Sequence, residues 1–238
     1  MKQKKLLASG GAFLAGCGAV ALLALLPASA ALAATAPITV RVEGLTRTLL
    51  APTAVKTHSC SLTRFGAPSG KCPDASGAGA LDIATHHNWK GTWESSFGDY
   101  EVTSILGEAH TFSSKDFWEI FVNGVADQTG ACETKLKPGE QILFAAAPVK
   151  GAARRPLVIQ DYPKHATVGK AFGLRVFAYT DKGKTVRVKG AEVTGDGVHA
   201  TTNQSAVASI TPTRPGNLVL RATKDGFIRS APVTVHVS

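Results

Sequence analysis

Apolar and polar residues alternate in short runs along most of this chain, the pattern of strands with one face buried. Ile38-Thr-Val-Arg-Val-Glu43 is the first such run, and Arg47-Thr-Leu-Leu-Ala51 follows after a tight turn at Gly44. Gly, Ser and Pro then dominate from about Pro52 to Gly79, which reads as a loop. Ala80–Thr85 is the best helix segment: Leu81 and Ala84 share one face, and Ser76 is available near its start as a cap. So short a helix draws its stability from packing rather than propensity. Tyr100–Leu106 alternates again. The clearest hairpin is Phe117–Val122, then Asn123-Gly124, then Val125 onward, because Asn-Gly accepts the positive φ angles of a type I′ turn. In that strand Trp118, Ile120 and Val122 share one face, while Phe117, Glu119 and Phe121 share the other. Both faces carry apolar groups, so one is expected under the helix and one under a partner. Leu136–Glu140 turns the chain into the strand Gln141–Ala145, and residues 148–156 read as a linker.

The remaining residues hold no convincing helix. Strands are predicted at Leu157–Gln160, Phe172–Tyr179, Thr185–Lys189, Ala206–Thr211, Leu218–Thr223 and Val233–Val237, with Gly-containing turns between them. Short strands with a turn signal roughly every ten residues describe an immunoglobulin-like β-sandwich over residues 157–238. Alternation turns Leu218, Leu220 and Ala222 inward with Val233, Val235 and Val237, leaving Thr234 and His236 in solvent.

The chain opens differently. Lys2, Lys4 and Lys5 precede a charge-free apolar run from Leu6 to Leu26, and small residues follow Pro27. A basic start, an apolar run and an A-x-A site are the parts of a secretory signal, here residues 1–34, with cleavage after Ala30 or Ala33. Export to the extracellular space or cell envelope is therefore expected. Leu14-Ala15-Gly16-Cys17 resembles a bacterial lipobox, which would leave a lipid on Cys17; the residues after it stay apolar, which favours a secreted chain over a lipidated or anchored one.

Charge divides the chain after residue 149. Residues 35–149 hold nine Lys/Arg against twelve Asp/Glu, a net of −3, and residues 150–238 hold fourteen against five, a net of +9. Such asymmetry points to two modules with different surfaces. An ordinary signal removes Cys17, which leaves Cys60, Cys72 and Cys132; outside the cytoplasm two of the three should be oxidised, and spacing alone allows any pairing. Zinc on His58, Cys60, Cys72 and His86-His87 fits no familiar ligand framework, so no metal is expected.

Several motifs occur in a fixed order in the first module: Val40-Arg-Val-Glu-Gly44, the stretch Cys72–Leu81, Ile105-Leu-Gly-Glu108, Trp118–Gly124, Gly130-Ala-Cys132 and Leu136–Phe144. Over residues 36–146 the chain resembles the transcobalamin-C-terminal-like domain of exported bacterial proteins. The resemblance implies a β-grasp-like α+β fold for residues 35–147 and a Cys72–Cys132 bridge, with Cys60 outside it. It also suggests corrinoid binding, although the larger helical domain that accompanies this domain in transcobalamins is absent from the sequence. The second module, through Lys189–Val193 and Ala222–Ala231, is similar to bacterial Ig-like repeats, which implies a spacer or adhesion role. The expected fold class is thus mainly β.

No Gly-x-Ser-x-Gly, His-Glu-x-x-His, phosphate-binding Gly loop or Cys-x-x-Cys occurs, so neither catalysis nor a cofactor is expected. His86-His87 reads as a helix end. Ligand contact is assigned to aromatics: Trp89 and Trp93 on the loop Asn88–Trp93, with Trp118 and Phe121 on the hairpin, against the alternative that they form a core. Lys182, Lys184, Arg187 and Lys189 cluster on one predicted hairpin and suit an anionic envelope polymer or phospholipid headgroups. Nucleic acid is not expected, for want of an aromatic-basic motif. The overall expectation is a secreted or cell-surface binding protein with an unidentified ligand.

Overall fold

The structure is a computed structural model that describes residues 37–58, 60–151 and 154–238. The expected signal segment, its two expected cleavage positions and Cys17 lie outside the described residues. From Ile38 the chain runs through β1 (Ile38–Glu43), β2 (Thr48–Val55), α1 (Gly77–Ala84), β3 (Trp89–Glu94), β4 (Asp99–Ile105), β5 (Glu108–Ala109), β6 (Asp116–Val122), β7 (Val125–Ala126) and β8 (Gln141–Pro148). Five of these strands form a mixed sheet in the order β2-β1-β8-β6-β7, with β1 and β8 parallel and the other pairs antiparallel. A smaller antiparallel sheet, β3-β4-β5, adjoins it. Leu81 of α1 packs with Val40, Val42, Ile105, Ile142 and Phe144 in one buried core. This is the mainly β arrangement expected of the first half.

The helix begins earlier than the apolar pattern suggests. Ser76 does cap it, its Oγ accepting from Gly79 N at 3.3 Å. The first turn is Gly77-Ala78, which Gly content alone assigns to a loop. Its amides are instead satisfied across space: Gly77 N donates to Thr134 O at 2.9 Å and Ala78 N to Ala131 O at 2.8 Å. The segment carrying those acceptors also carries Cys132, which is bonded to Cys72 with Cα atoms 4.9 Å apart. Tertiary contacts thus complete a helix that local propensity would not start.

Asn88–Trp93 departs from the expected loop as well. Trp89–Glu94 is β3, paired antiparallel with β4 so that Trp93 lies opposite Tyr100. Polar residues hid the strand, because only its two tryptophans make the inward pattern. Strand β2 also runs on to Val55, past the expected end at Ala51.

The second half contains β9 (Arg155–Gln160), β10 (His165–Ala166), β11 (Phe172–Tyr179), β12 (Thr185–Arg187), β13 (Glu192–Gly195), β14 (Val198–Thr201), β15 (Val207–Ile210), β16 (Gly216–Thr223), β17 (Phe227–Ile228) and β18 (Val233–Val237). One sheet is β10-β18-β16-β13-β14; the other is β12-β11-β9-β17, with β15 also on β11. Their inner faces, including Leu157, Val176, Leu218, Leu220 and Val235, form a second buried core. This is the immunoglobulin-like sandwich. The β13–β14 hairpin escapes the pattern analysis because Val193 is the only buried residue of the two strands.

The halves are joined by more than the chain. Phe121, Leu143 and Ala145 of the first half bury against Ile228 of the second. Phe121, on the outer face of β6, is thus covered by the sandwich rather than by a separate partner. The type I′ turn adds to the junction. Asn123 and Gly124 both have positive φ, 50° and 84°. A Cβ at Gly124 would lie 2.4 Å from the Tyr179 ring, so the turn must be glycine where it meets the sandwich. Beside this contact Glu43, 1% exposed, receives Arg41 at 2.8 Å from its own strand, and Arg229 at 2.9 Å and Arg221 at 3.3 Å from the sandwich. Arg229 also donates to Gly44 O at 2.6 Å.

Candidate functional site

The four aromatic residues assigned to ligand contact do not share a surface. Trp89 is 2% exposed, Trp118 is 6% exposed and Phe121 is also buried; Trp93 is half-buried against the first core. Trp89 and Trp93 both meet Tyr100 edge to face, at 5.3 and 5.1 Å between centroids, and Phe65 packs on Trp89 at 4.9 Å. A buried carboxylate organises this cluster. Asp82 of α1 accepts from Trp89 Nε1 at 2.6 Å and from Arg64 Nη1 at 2.5 Å, and its other oxygen meets His87 Nδ1 at 2.6 Å. The Tyr100 hydroxyl donates to Arg64 O. Its pKa is pushed up to about 12, by burial first and then by the charge of Asp82. His87 therefore belongs to a structural network that holds β3 against the helix. Phe121 lies apart, in the junction with the sandwich.

A second buried carboxylate, Asp99, holds the disulfide segment. Its oxygens accept from Tyr100 N at 2.6 Å, Cys132 N at 2.9 Å and Glu133 N at 3.0 Å. Gly130 leaves room for it, since a Cβ there would stand 2.4 Å from the carboxylate.

The basic residues behave differently, for all four are exposed. Lys182 and Lys184 sit on the turn between β11 and β12. Arg187 and Lys189 line a cleft of about 610 Å³, joined there by Arg155 of β9 and Lys224 from the turn before β17. The parallel pairing of Phe227 with Arg155 brings these distant segments together. Lys224 Nζ donates to Lys189 O, which ties the two sides. Asp181 is the one acid among the described residues of the cleft wall, paired with Arg155 at 3.4 Å. Four cations thus face one carboxylate around an open space. A neighbouring cleft of about 470 Å³ shares Lys224 and Phe227 and adds Arg154 and Arg229. Sequence reasoning missed Arg155 and Lys224, because only sheet topology makes them neighbours of Arg187. Lys182 and Lys184, the other half of the expected cluster, do not line the cleft.

Among the described residues no group of three or more His, Cys, Asp or Glu is placed to hold a metal ion, and no helix is long and apolar enough to cross a membrane. A model for a domain of unknown function, DUF4430, matches residues 77–147, from the start of α1 into β8. No curated protein matches the chain.

Proposed function

We propose that this chain is a non-catalytic binding protein of the cell surface, whose sandwich half adheres to an anionic polymer of the envelope. One observation carries the reading: Arg155, Arg187, Lys189 and Lys224 converge on a single open cleft in which Asp181 is the one acid among the described lining residues. Converging cations in a concave site focus potential and raise the local concentration of anionic groups. The +9 balance of residues 150–238 supports the same reading. Export rests on the basic-apolar-small pattern of residues 1–34. The likeness of residues 36–146 to the transcobalamin-C-terminal-like domain adds a ligand-binding precedent from exported proteins.

The test is retention of the purified chain on immobilised polyphosphate, with phosphatidylglycerol and phosphatidylcholine vesicles as separate arms. Binding to polyphosphate should fall steeply between about 50 and 500 mM salt. Arg187→Glu with Lys189→Glu should abolish it, while Lys182→Glu with Lys184→Glu, outside the cleft, should weaken it less. Salt-insensitive retention, or equal losses from the two pairs, sinks the reading. Binding confined to the phosphatidylglycerol vesicles replaces the polymer by a membrane surface.

A further inference from the structure

The mixed sheet of the first half ends on an edge that is only partly closed. β8 pairs with β6 along its whole length, from Asp116 to Val122. On the other side β7 pairs with Phe121 and Val122 alone. Ile120 O then accepts Asp127 N at 2.8 Å, and there the chain turns away. In an antiparallel strand alternate residues direct both N–H and C=O to the same neighbour. Val122 flanks the two-residue turn and Ile120 bonds on this side, so Trp118 presents its N–H and C=O to this side too. At the far end Ser114 Oγ covers Asp116 O at 2.6 Å. Trp118 is left as a gap in the ladder.

That gap opens onto a groove of about 390 Å³, walled by Tyr100 and Val102 of β4 and by the stretch Asp127–Ala131. Phe112 lines it as well. It is 60% exposed and stacks on Phe117, with centroids 4.7 Å apart and planes at 25°. Trp118 Nε1 is buried without a hydrogen-bond partner. The charged residues lining the groove are Glu119 and Asp127, and none of its described lining residues is a cation.

We infer that this groove binds an extended, cationic peptide segment, which adds as a strand to the open edge of β6. Each part of the groove answers to one part of such a segment. The backbone groups of Trp118 require a strand's own N–H and C=O as complement. The stacked Phe112–Phe117 pair offers an apolar surface to one side chain, and Glu119 with Asp127 offers charge to the next. A sugar would use the aromatic pair but leave the ladder unfilled. This site is separate from the basic cleft and opposite in charge, so it stands or falls independently of envelope binding.

The test uses the full oxidised chain, isotope-labelled, titrated with a capped Lys-Val-Lys-Val-Lys peptide up to about 1 mM. The Trp118 amide should shift and become protected from exchange. A Glu-Val-Glu-Val-Glu peptide should bind at least tenfold more weakly, and so should the lysine peptide methylated at its central amides. Asp127→Lys should weaken the lysine peptide about tenfold, with far-UV circular dichroism confirming the fold; if that variant does not fold, the peptide arms still decide. An unshifted Trp118 amide at the highest concentration overturns the proposal. Equal binding by the methylated peptide overturns strand addition, and equal binding by the acidic peptide overturns the charge assignment.

Discussion

Glu43 carries one negative charge among three guanidinium groups, and it does so fully buried. Burial lowers the pKa of Arg41; Glu43 pulls the other way, and Arg221 and Arg229 add to the lowering. Removing only the carboxylate charge leaves the arginines facing one another in a desolvated junction. Glu43→Gln should therefore cost about 3–5 kcal/mol in urea unfolding, as breaking one side of a buried ion pair does. Two other carboxylates shift in opposite directions. Burial raises Glu108, but hydrogen bonds from His110 and Leu45 N, with the charges of His110 and Arg47, outweigh it and hold the group below its ordinary value. A depressed group adds stability above its unfolded pKa and loses it as pH falls through the folded one. Glu108→Gln should thus melt below the parent at neutral pH and converge with it in acid. Glu119 is raised, by burial first and then by Asp181 across the junction. A raised carboxyl opposes folding while ionised, and the opposition is relieved as pH falls. Glu119→Gln should melt above the parent at neutral pH, with the gain vanishing in acid. Melting curves at several pH values check both signs.

At the scale of elements, α1 and the segment around Cys132 are one unit built from two distant pieces of sequence. The disulfide spans a separation of 60 residues, and Asp99 gathers the amides of Cys132 and Glu133. The chain-entropy model gives a loop of that length about 4 kcal/mol, the loss expected for Cys72→Ala with Cys132→Ala. Gly130→Ala attacks the same unit from the other side, by pushing Asp99 off its amides. Leaving such buried donors unmet should cost about 1–3 kcal/mol, measurable by denaturant unfolding. This unit also marks what the chain discloses before folding. Alternation found β11, β16 and β18, since each buries every second residue along most of its length; β1 and β8 were legible as well, and the structure buries them on both faces. The pattern missed Gly77-Ala78, whose helical state depends on Ala131 O and Thr134 O, and it missed β3, where the inward residues are two tryptophans among polar ones. The basic cleft was legible only through Arg187 and Lys189. Arg155 and Lys224 enter it through a parallel pairing that no local pattern records.

For the whole molecule, the question is how firmly two cores act as one body. Their apolar contact is small: Phe121, Leu143 and Ala145 against Ile228, with Gly124 pressed on Tyr179. A contact of this size leaves the halves free to unfold separately unless something else couples them. The polar cluster is that coupling, because undocking would return Arg221 and Arg229 to water and leave Glu43 with Arg41 as its one cation and the Thr48 hydroxyl as its other donor. The coupling also explains a cost. A buried ion cluster is weak evidence for stability, yet it specifies which faces meet. In this chain it fixes the basic cleft of the sandwich relative to the acidic groove beside β6. Scanning calorimetry of the parent should therefore give one endotherm. In the Arg221→Ala, Arg229→Ala double variant it should give two, and a thiol reductant should move only the one that belongs to the disulfide-bearing half. If the double variant still melts in a single endotherm, merely at lower temperature, then the apolar contact suffices to couple the halves, and Glu43 serves register rather than cohesion.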